Sequence, residues 1–161
     1  MSIAEILDDL DYGPAPESDA EARAWLARHK DGTLLYIGGE WREPKSGRFF
    51  DTVDPATGAV LARVAEAGAD DIDDAVAAAR KAQGKWAALP GHERAKYLYA
   101  IARMIQKNSL LFAVVEALDN GKPIRETRDI DVPLVARHFY HHAGWAELMA
   151  QEFPDRIPVG V

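Results

Sequence analysis

The chain has 161 residues, of which 48% are hydrophobic and 28% are charged, so it is long enough for one domain with a buried core. Its net charge of -7 disfavours nucleic acid or an anionic membrane as a partner, and its apolar runs are too short to span a bilayer. It has no cysteine, which excludes disulfides and a cysteine nucleophile and fits a reducing, cytoplasmic location.

Residues 1–33 are predicted to form a helical N-terminal extension, in which prolines close to residue 15 separate two helices. Ser18 and Glu21 have the spacing of a capping box, so the second helix is expected to start there and to continue to about His29. The acidic start also lacks the basic region of a secretory signal. The apolar positions of the first helix are Ile3, Ile6, Leu7 and Leu10.

Residues 34–66 are predicted to form a small antiparallel sheet of four strands. The pair Gly38-Gly39 indicates a hairpin turn, and the stretch Asp54–Gly58 has the composition of a second turn. The strands themselves are expected at Leu34–Ile37, Glu40–Arg42, Phe49–Val53 and Val60–Ala65.

Residues 69–152 are predicted to be helical, because four apolar stripes repeat there at the spacing of a helix. Ser109 is expected to cap the third helix at its N-terminus, and Gly121 and Pro123 to end it. Pro133 suits the first turn of the fourth helix. The four helices are expected at residues 72–88, 92–107, 111–118 and 129–152.

Packing of these helices is predicted to leave apolar surface bare. Helices 72–88 and 92–107 are expected to lie side by side with the other two against them, and a four-stranded sheet is too small to cover all the stripes. The side chains expected to lose part of their cover are Val76, Ile101, Ile105 and Val135.

Three histidines near the C-terminus form the first candidate site. His138, His141 and His142 have the spacing of one helix face, which would allow zinc ligation. There is no HExxH motif, and aromatic residues lie between the histidines, so a solvated or packing role is the favoured alternative.

Acidic clusters offer weaker candidates for chemistry. The aspartates at positions 8, 9 and 11 lack the register of a calcium loop. Asp129 and Asp131 resemble an acid–base pair, but negative charge at a helix start explains them equally well. Residues 119–123 superficially suggest a phosphate loop and are better explained as a helix stop. No catalytic residue and no cofactor-binding residue is assigned.

Several short stretches occur in an order that is typical of one protein family. These stretches are Tyr36–Trp41, Phe50–Gly58, Asp70–Ala79, Trp86, Glu93-Arg94, Glu116–Pro123, His142–Trp145 and Pro158–Val161, preceded by Glu5–Leu7, Asp11–Ser18 and Ala24–Leu26. Through them the chain from about Leu34 onward resembles the N-terminal part of the aldehyde dehydrogenase superfamily, and residues 1–33 resemble the extension of its family-16 branch.

The resemblance implies an α/β parent enzyme of Rossmann type, of which the present chain is a mainly helical part with a small antiparallel sheet. Residues 34–152 would then be the N-terminal part of the nucleotide-binding domain, and residues 153–161 the start of a strand of the oligomerisation element. The complete protein would use NAD or NADP to oxidise an aldehyde to a carboxylic acid and would be a homo-oligomer. Its catalytic cysteine, glutamate and cofactor motifs would lie beyond residue 161.

One site implied by the family maps onto this chain. Relatives bind a monovalent cation through oxygens at positions that match Thr52, Val53 and Asp119. Carbonyl and carboxylate oxygens suit such a hard cation. The resemblance also implies a third arm from beyond residue 161, so the 161-residue chain is expected to hold only part of the site.

Two other functions remain open on the residues alone: a non-catalytic binding or scaffold module of the same family, and an unrelated helical protein. Without a cysteine or a glycine-rich βα turn, the 161-residue chain by itself is predicted to show no aldehyde oxidation and no micromolar binding of a nicotinamide cofactor.

Overall fold

A computed structural model describes residues 18–29 and 32–153 of the chain. The predicted class, mainly helical with a little antiparallel β structure, is confirmed. The predicted first helix, with Ile3, and the predicted final strand beyond Phe153 lie outside the described residues. In chain order the elements are α1 (Ala20–Arg28), β1 (Leu35–Ile37), β2 (Glu40–Arg42), β3 (Phe49–Val53), β4 (Val60–Ala65), α2 (Ala69–Ala87), α3 (Gly91–Lys107), α4 (Ser109–Asn120), α5 (Ile124–Glu126) and α6 (Val132–Glu152), with a π-helical turn at Thr127–Asp131 between the last two.

The strands form two separate hairpins and not the single four-stranded sheet that the sequence predicts. β1 pairs with β2, and β3 pairs with β4, both antiparallel. Thr33 occupies the other edge of β4 through two backbone hydrogen bonds, with Arg63 and Ala65. Because Thr33 already pairs with this edge of β4, the edge is not open to β1, and the two hairpins remain separate.

The first hairpin turns at Gly38-Gly39, as predicted. Both glycines have positive φ, 67° and 93°, which suits a tight two-residue turn. The register places Tyr36 opposite Trp41, and their ring centroids lie 4.8 Å apart. Both side chains are exposed, by 60% and 65%.

Helix α2 packs against this hairpin through its acidic side. Asp71 is only 1% exposed, and its two carboxylate oxygens accept hydrogen bonds from the amides of Gly68 (2.9 Å) and Lys45 (3.1 Å). These bonds lower the pKa of Asp71 below its ordinary value of 3.8. One turn later, Asp74 pairs with Arg42 at 3.0 Å and with the Lys45 ammonium at 2.9 Å.

Helices α3 and α6 pack against each other along their lengths and form the main helical contact. They run antiparallel, because Gly91 at the start of α3 lies against Ala146, and Tyr140 donates a hydrogen bond to Gln106 at the other end of α3 (2.8 Å). The seam between them, here called the alanine seam, consists of Ala95, Ala102, Ala136 and Ala143, all at most 2% exposed.

This arrangement corrects the predicted helix packing. α2 lies against β1 and does not run side by side with α3; Trp86 meets Tyr97 edge-on at 5.6 Å at the junction of the two helices. The physical reason is that the side of α2 facing the first hairpin carries Asp71 and Asp74, whereas its apolar stripe, with Ile72, faces outward.

The helix ends also differ from those predicted. Helix α1 starts without a capping box: Ser18 accepts from the Ala20 amide (3.2 Å), and Asp19 pairs with Arg23. Asn108 occupies the N-cap position of α4 without a side-chain cap bond, so Ser109 is the first helical residue and not the cap. α4 reaches two residues further than predicted at both ends, and a π-helical turn replaces the predicted start of α6 at residue 129.

Large apolar side chains remain on the outside, as the sequence predicts. Val76, Ile101 and Val135 are 46%, 42% and 45% exposed, and Ile105 is half-buried. Eight of the eleven buried apolar residues are alanines, so the described core holds few large side chains. No helix within residues 18–29 and 32–153 is both long and apolar enough to cross a membrane.

Candidate functional site

The second hairpin meets the C-terminus of α4, and this junction is the candidate site. Gly121 ends α4 with φ of 76°, as the sequence predicts. A Cβ atom at Gly121 would lie 2.8 Å from Cγ of Pro55, so the turn between β3 and β4 sits directly on the end of the helix. This close approach brings β3 within reach of the last turn of α4.

The junction joins two of the three predicted cation ligands. The hydroxyl of Thr52 on β3 donates a hydrogen bond to a carboxylate oxygen of Asp119 on α4, although the two residues are 67 positions apart in the chain. Val53 is the next residue of β3 and follows an irregularity in the strand register, where backbone pairing is disturbed. All three predicted residues therefore lie at one end of the β3–β4 hairpin.

The oxygen chemistry of this junction fits a hard monovalent cation. A carboxylate, a hydroxyl and backbone carbonyls are the donor types that such cations prefer. Asp119 supplies the negative charge, and the Thr52 hydroxyl lies beside it. The contact of Gly121 with Pro55 holds β3, which carries Thr52, close to α4, which carries Asp119.

A lysine next to the junction carries an ion network that the sequence does not reveal. The Lys122 ammonium lies 2.5 Å from a carboxylate oxygen of Asp131 and 3.8 Å from one of Glu116. The bond to Asp131 is the main reason why the pKa of Lys122 is raised above its ordinary value of 10.5. Glu116 and Lys122 both belong to a stretch that carries the family resemblance, and that was the only signal in the sequence.

An open groove of about 390 Å³ runs alongside this network, between α3, α4 and α6. Its walls are apolar except for the carboxylates of Glu116 and Asp119. The remaining lining residues are Ile105, Phe112, Val115, Val132 and Val135.

The other sequence candidates do not form the sites first considered for them, an acid–base pair and a three-histidine metal site. Asp131 pairs with Lys122, whereas Asp129 pairs with Arg128 at 2.7 Å, which lowers the pKa of Asp129, so the two aspartates are not an acid–base pair. The three histidines of α6 are exposed, and no group of three or more His, Cys, Asp or Glu within the described residues could hold a metal. Asp8 and its acidic neighbours lie outside the residues that the structure describes.

Comparison with known proteins gives one consistent family. Residues 41–159 match the aldehyde dehydrogenase family. The chain is 46% identical over 117 residues to an aldehyde dehydrogenase of Paracoccus denitrificans, covering 73% of this chain and 23% of that protein. It is 42% identical over 115 residues to a mitochondrial benzaldehyde dehydrogenase of Antirrhinum majus, covering 70% and 22%. The chain thus spans about a quarter of the length of these relatives.

Solved structures agree with the sequence comparison. The HpcC protein of Thermus thermophilus superposes with a TM-score of 0.74 at 35% identity, covering 80% of this chain and 25% of that one. An NAD⁺ complex of an aldehyde dehydrogenase from Bacillus cereus gives a TM-score of 0.73 at 38% identity, covering 80% and 26%. The described fold is therefore the one found in part of these proteins.

Proposed function

Because the chain belongs to the aldehyde dehydrogenase family, we propose that it is the N-terminal portion of an enzyme that oxidises an aldehyde to a carboxylic acid with NAD or NADP. The family match over residues 41–159 carries this proposal. It is supported by the similarity to the Bacillus cereus enzyme, which was solved with NAD⁺.

The chain's own contribution to such an enzyme is structural. With no cysteine, it offers no thiolate to attack an aldehyde, so the chemistry would come from a part outside these 161 residues. Its exposed apolar side chains, such as Val76 and Val135, would be covered there by the remainder of the enzyme.

The test is to express the complete reading frame and the 161-residue chain separately and to measure aldehyde-dependent reduction of NAD and NADP. We expect turnover from the complete protein, and neither turnover nor micromolar cofactor binding by calorimetry from the short chain. Turnover by the short chain would refute the proposal. A complete protein that lacks a catalytic cysteine and activity would favour the non-catalytic scaffold module.

The junction of β3 with α4 is proposed as part of a monovalent cation site formed by Thr52, Val53 and Asp119. For the complete protein, we expect potassium chloride to raise the melting temperature above that in tetramethylammonium chloride of equal ionic strength. Asp119→Asn should abolish the difference, whereas Asp51→Asn, an exposed neighbour on β3, should keep it. The site would be contradicted if potassium raised the melting temperature equally in the wild type and in both variants.

Further features of the complete protein belong to the same proposal. Residues 34–152 would form the N-terminal part of the nucleotide-binding domain, preceded by the extension 1–33 and followed at 153–161 by the first strand of an oligomerisation element. The complete enzyme would be a homo-oligomer in the cytoplasm. The cytoplasm is reducing, and a chain segment without cysteine is compatible with such a compartment. Its assignment to the family-16 branch stays a prediction from residues 1–33.

A further inference from the structure

Three histidines lie on the outer surface of α6. The buried face of this helix carries Ala136 and Ala143, which are 2% and 0% exposed. With 3.6 residues per turn, His138 and His142 fall on the side of the helix opposite to those alanines. Both histidines are exposed, as is His141 between them.

The spacing of His138 and His142 is that of a chelating pair. Residues four apart on a helix occupy adjacent turns of one face, with Cβ atoms about 5–6 Å apart. Zinc-binding helices use the same spacing for two histidine ligands. Within the described residues, neither His138 nor His142 forms an ion pair or a side-chain hydrogen bond that would have to be broken.

His141 differs from the other two histidines. Its ring lies 5.3 Å from that of His142, nearly perpendicular to it, and 6.4 Å from the ring of Trp145. His141 lies three residues after His138, a spacing at which helix side chains are also neighbours, so His141 is the competing partner for His138. The His141→Gln variant therefore tells whether His138 chelates together with His142 or with His141.

We propose that His138 and His142 form a two-histidine chelate for a divalent transition-metal ion, whose remaining coordination positions are filled by water. Imidazole nitrogens suit copper, nickel and zinc, and Cu²⁺ binds most tightly among the divalent first-row ions. The described residues provide no third ligand, so this is an exposed two-ligand site and not a buried structural centre. It is separate in place and chemistry from the all-oxygen junction at Asp119.

The test uses the untagged 161-residue chain titrated with Cu²⁺ and followed by calorimetry and electron paramagnetic resonance. We expect the bound copper to show two imidazole nitrogens. His138→Gln and His142→Gln should each weaken binding about tenfold or more, because loss of one ligand removes the chelate effect. His141→Gln should leave the affinity unchanged. Equal losses in all three variants, or no loss in the first two, would overturn the proposal.

A rescue experiment separates chelation from a fold defect. Leu134 is 40% exposed and lies four residues before His138, one turn earlier on the same side of α6. Introducing Leu134→His into the His142→Gln variant recreates a pair at the same spacing. We expect copper binding with two imidazole nitrogens to return. Circular dichroism checks that this double variant is folded. If the folded variant does not regain its affinity for copper, a two-histidine chelate is contradicted.

Discussion

Gly121 is the residue on which the junction between β3 and α4 depends. Its φ of 76° lies in the left-handed region, and its Cα faces Pro55 without room for a side chain. We expect Gly121→Ala to lower the free energy of unfolding by about 1–2 kcal/mol for the backbone conformation alone, with a further loss from the clash with Pro55. Urea denaturation measures the change.

The matched control for this substitution is Gly58→Ala in the neighbouring turn. Gly58 has φ of 72° with nothing within 4 Å of its ideal Cβ position, so it incurs only the backbone penalty. The difference between the two variants isolates the contact with Pro55. Equal losses would mean that the turn does not rest on the end of α4.

Asp71 links the stability of α2 to pH. Its folded pKa is lowered, chiefly by the amide of Gly68, so the folded state favours the charged carboxylate. The stabilisation is therefore complete above the ordinary value of 3.8 and is lost as the pH falls below it, towards the lower folded pKa. Urea midpoints between about pH 2.5 and 6 should show this decline.

Asp71→Asn should lower the midpoint at pH 6 and flatten its dependence on pH in the acid range. An asparagine has one oxygen, so it cannot accept from both amides as the carboxylate does. Asp73→Asn, on the exposed side of the same helix turn, is expected to keep the wild-type profile. The assignment fails if Asp73→Asn flattens the profile as strongly as Asp71→Asn.

Among the secondary-structure elements, the contact between α3 and α6 depends on small residues. A Cβ atom at Gly91 would overlap the backbone carbonyl of Ala146, so Gly91→Ala must push the two helices apart. We expect a loss of about 1–3 kcal/mol in unfolding free energy. Gly84→Ala, in α2 with nothing near its Cβ position, should instead stabilise the protein by about 0.5–1 kcal/mol. Changes of the same sign for the two variants in denaturation experiments would contradict this packing.

Helices and turns were predictable because their causes are local. The turn at Gly38-Gly39 and the end of α4 at Gly121 follow from positions that need positive φ. The face that each helix buries was not predictable for α2, because its apolar stripe with Ile72 looks like a core face, and the buried face carries Asp71. Helical periodicity indicates that a face is apolar but does not say which neighbour covers it.

The candidate site was predictable only in part, for a similar reason. Family resemblance was enough to pair Thr52 with Asp119, although the residues are 67 positions apart. The position of Asp131 beside Lys122 depends on the π-helical turn, which no local signal indicates. The two strand pairs could not be separated from the sequence either, because the edge of β4 is taken by the single residue Thr33.

For the molecule as a whole, the exposed apolar faces predict self-association. The described structure leaves side chains such as Ile101 and Val135 more than 40% exposed, whereas its buried residues are mostly alanine. We expect the isolated chain to form oligomers in sedimentation experiments, with a urea midpoint that rises with protein concentration. Val135→Lys should reduce association without loss of helicity. A monomer with a concentration-independent midpoint would show that these faces need no partner.

The alanine seam has a consequence for the order of events during synthesis. Both helices that form it lie within residues 91–152, so they can dock as soon as α6 has left the ribosome. In a protein of the relatives' length, more than two thirds of the chain would still have to be made. At about 5–20 residues per second, this takes tens of seconds, during which the docked pair exposes the faces that later segments would cover. A nascent chain with this seam would be a client for chaperones that bind apolar surface before it becomes part of an enzyme.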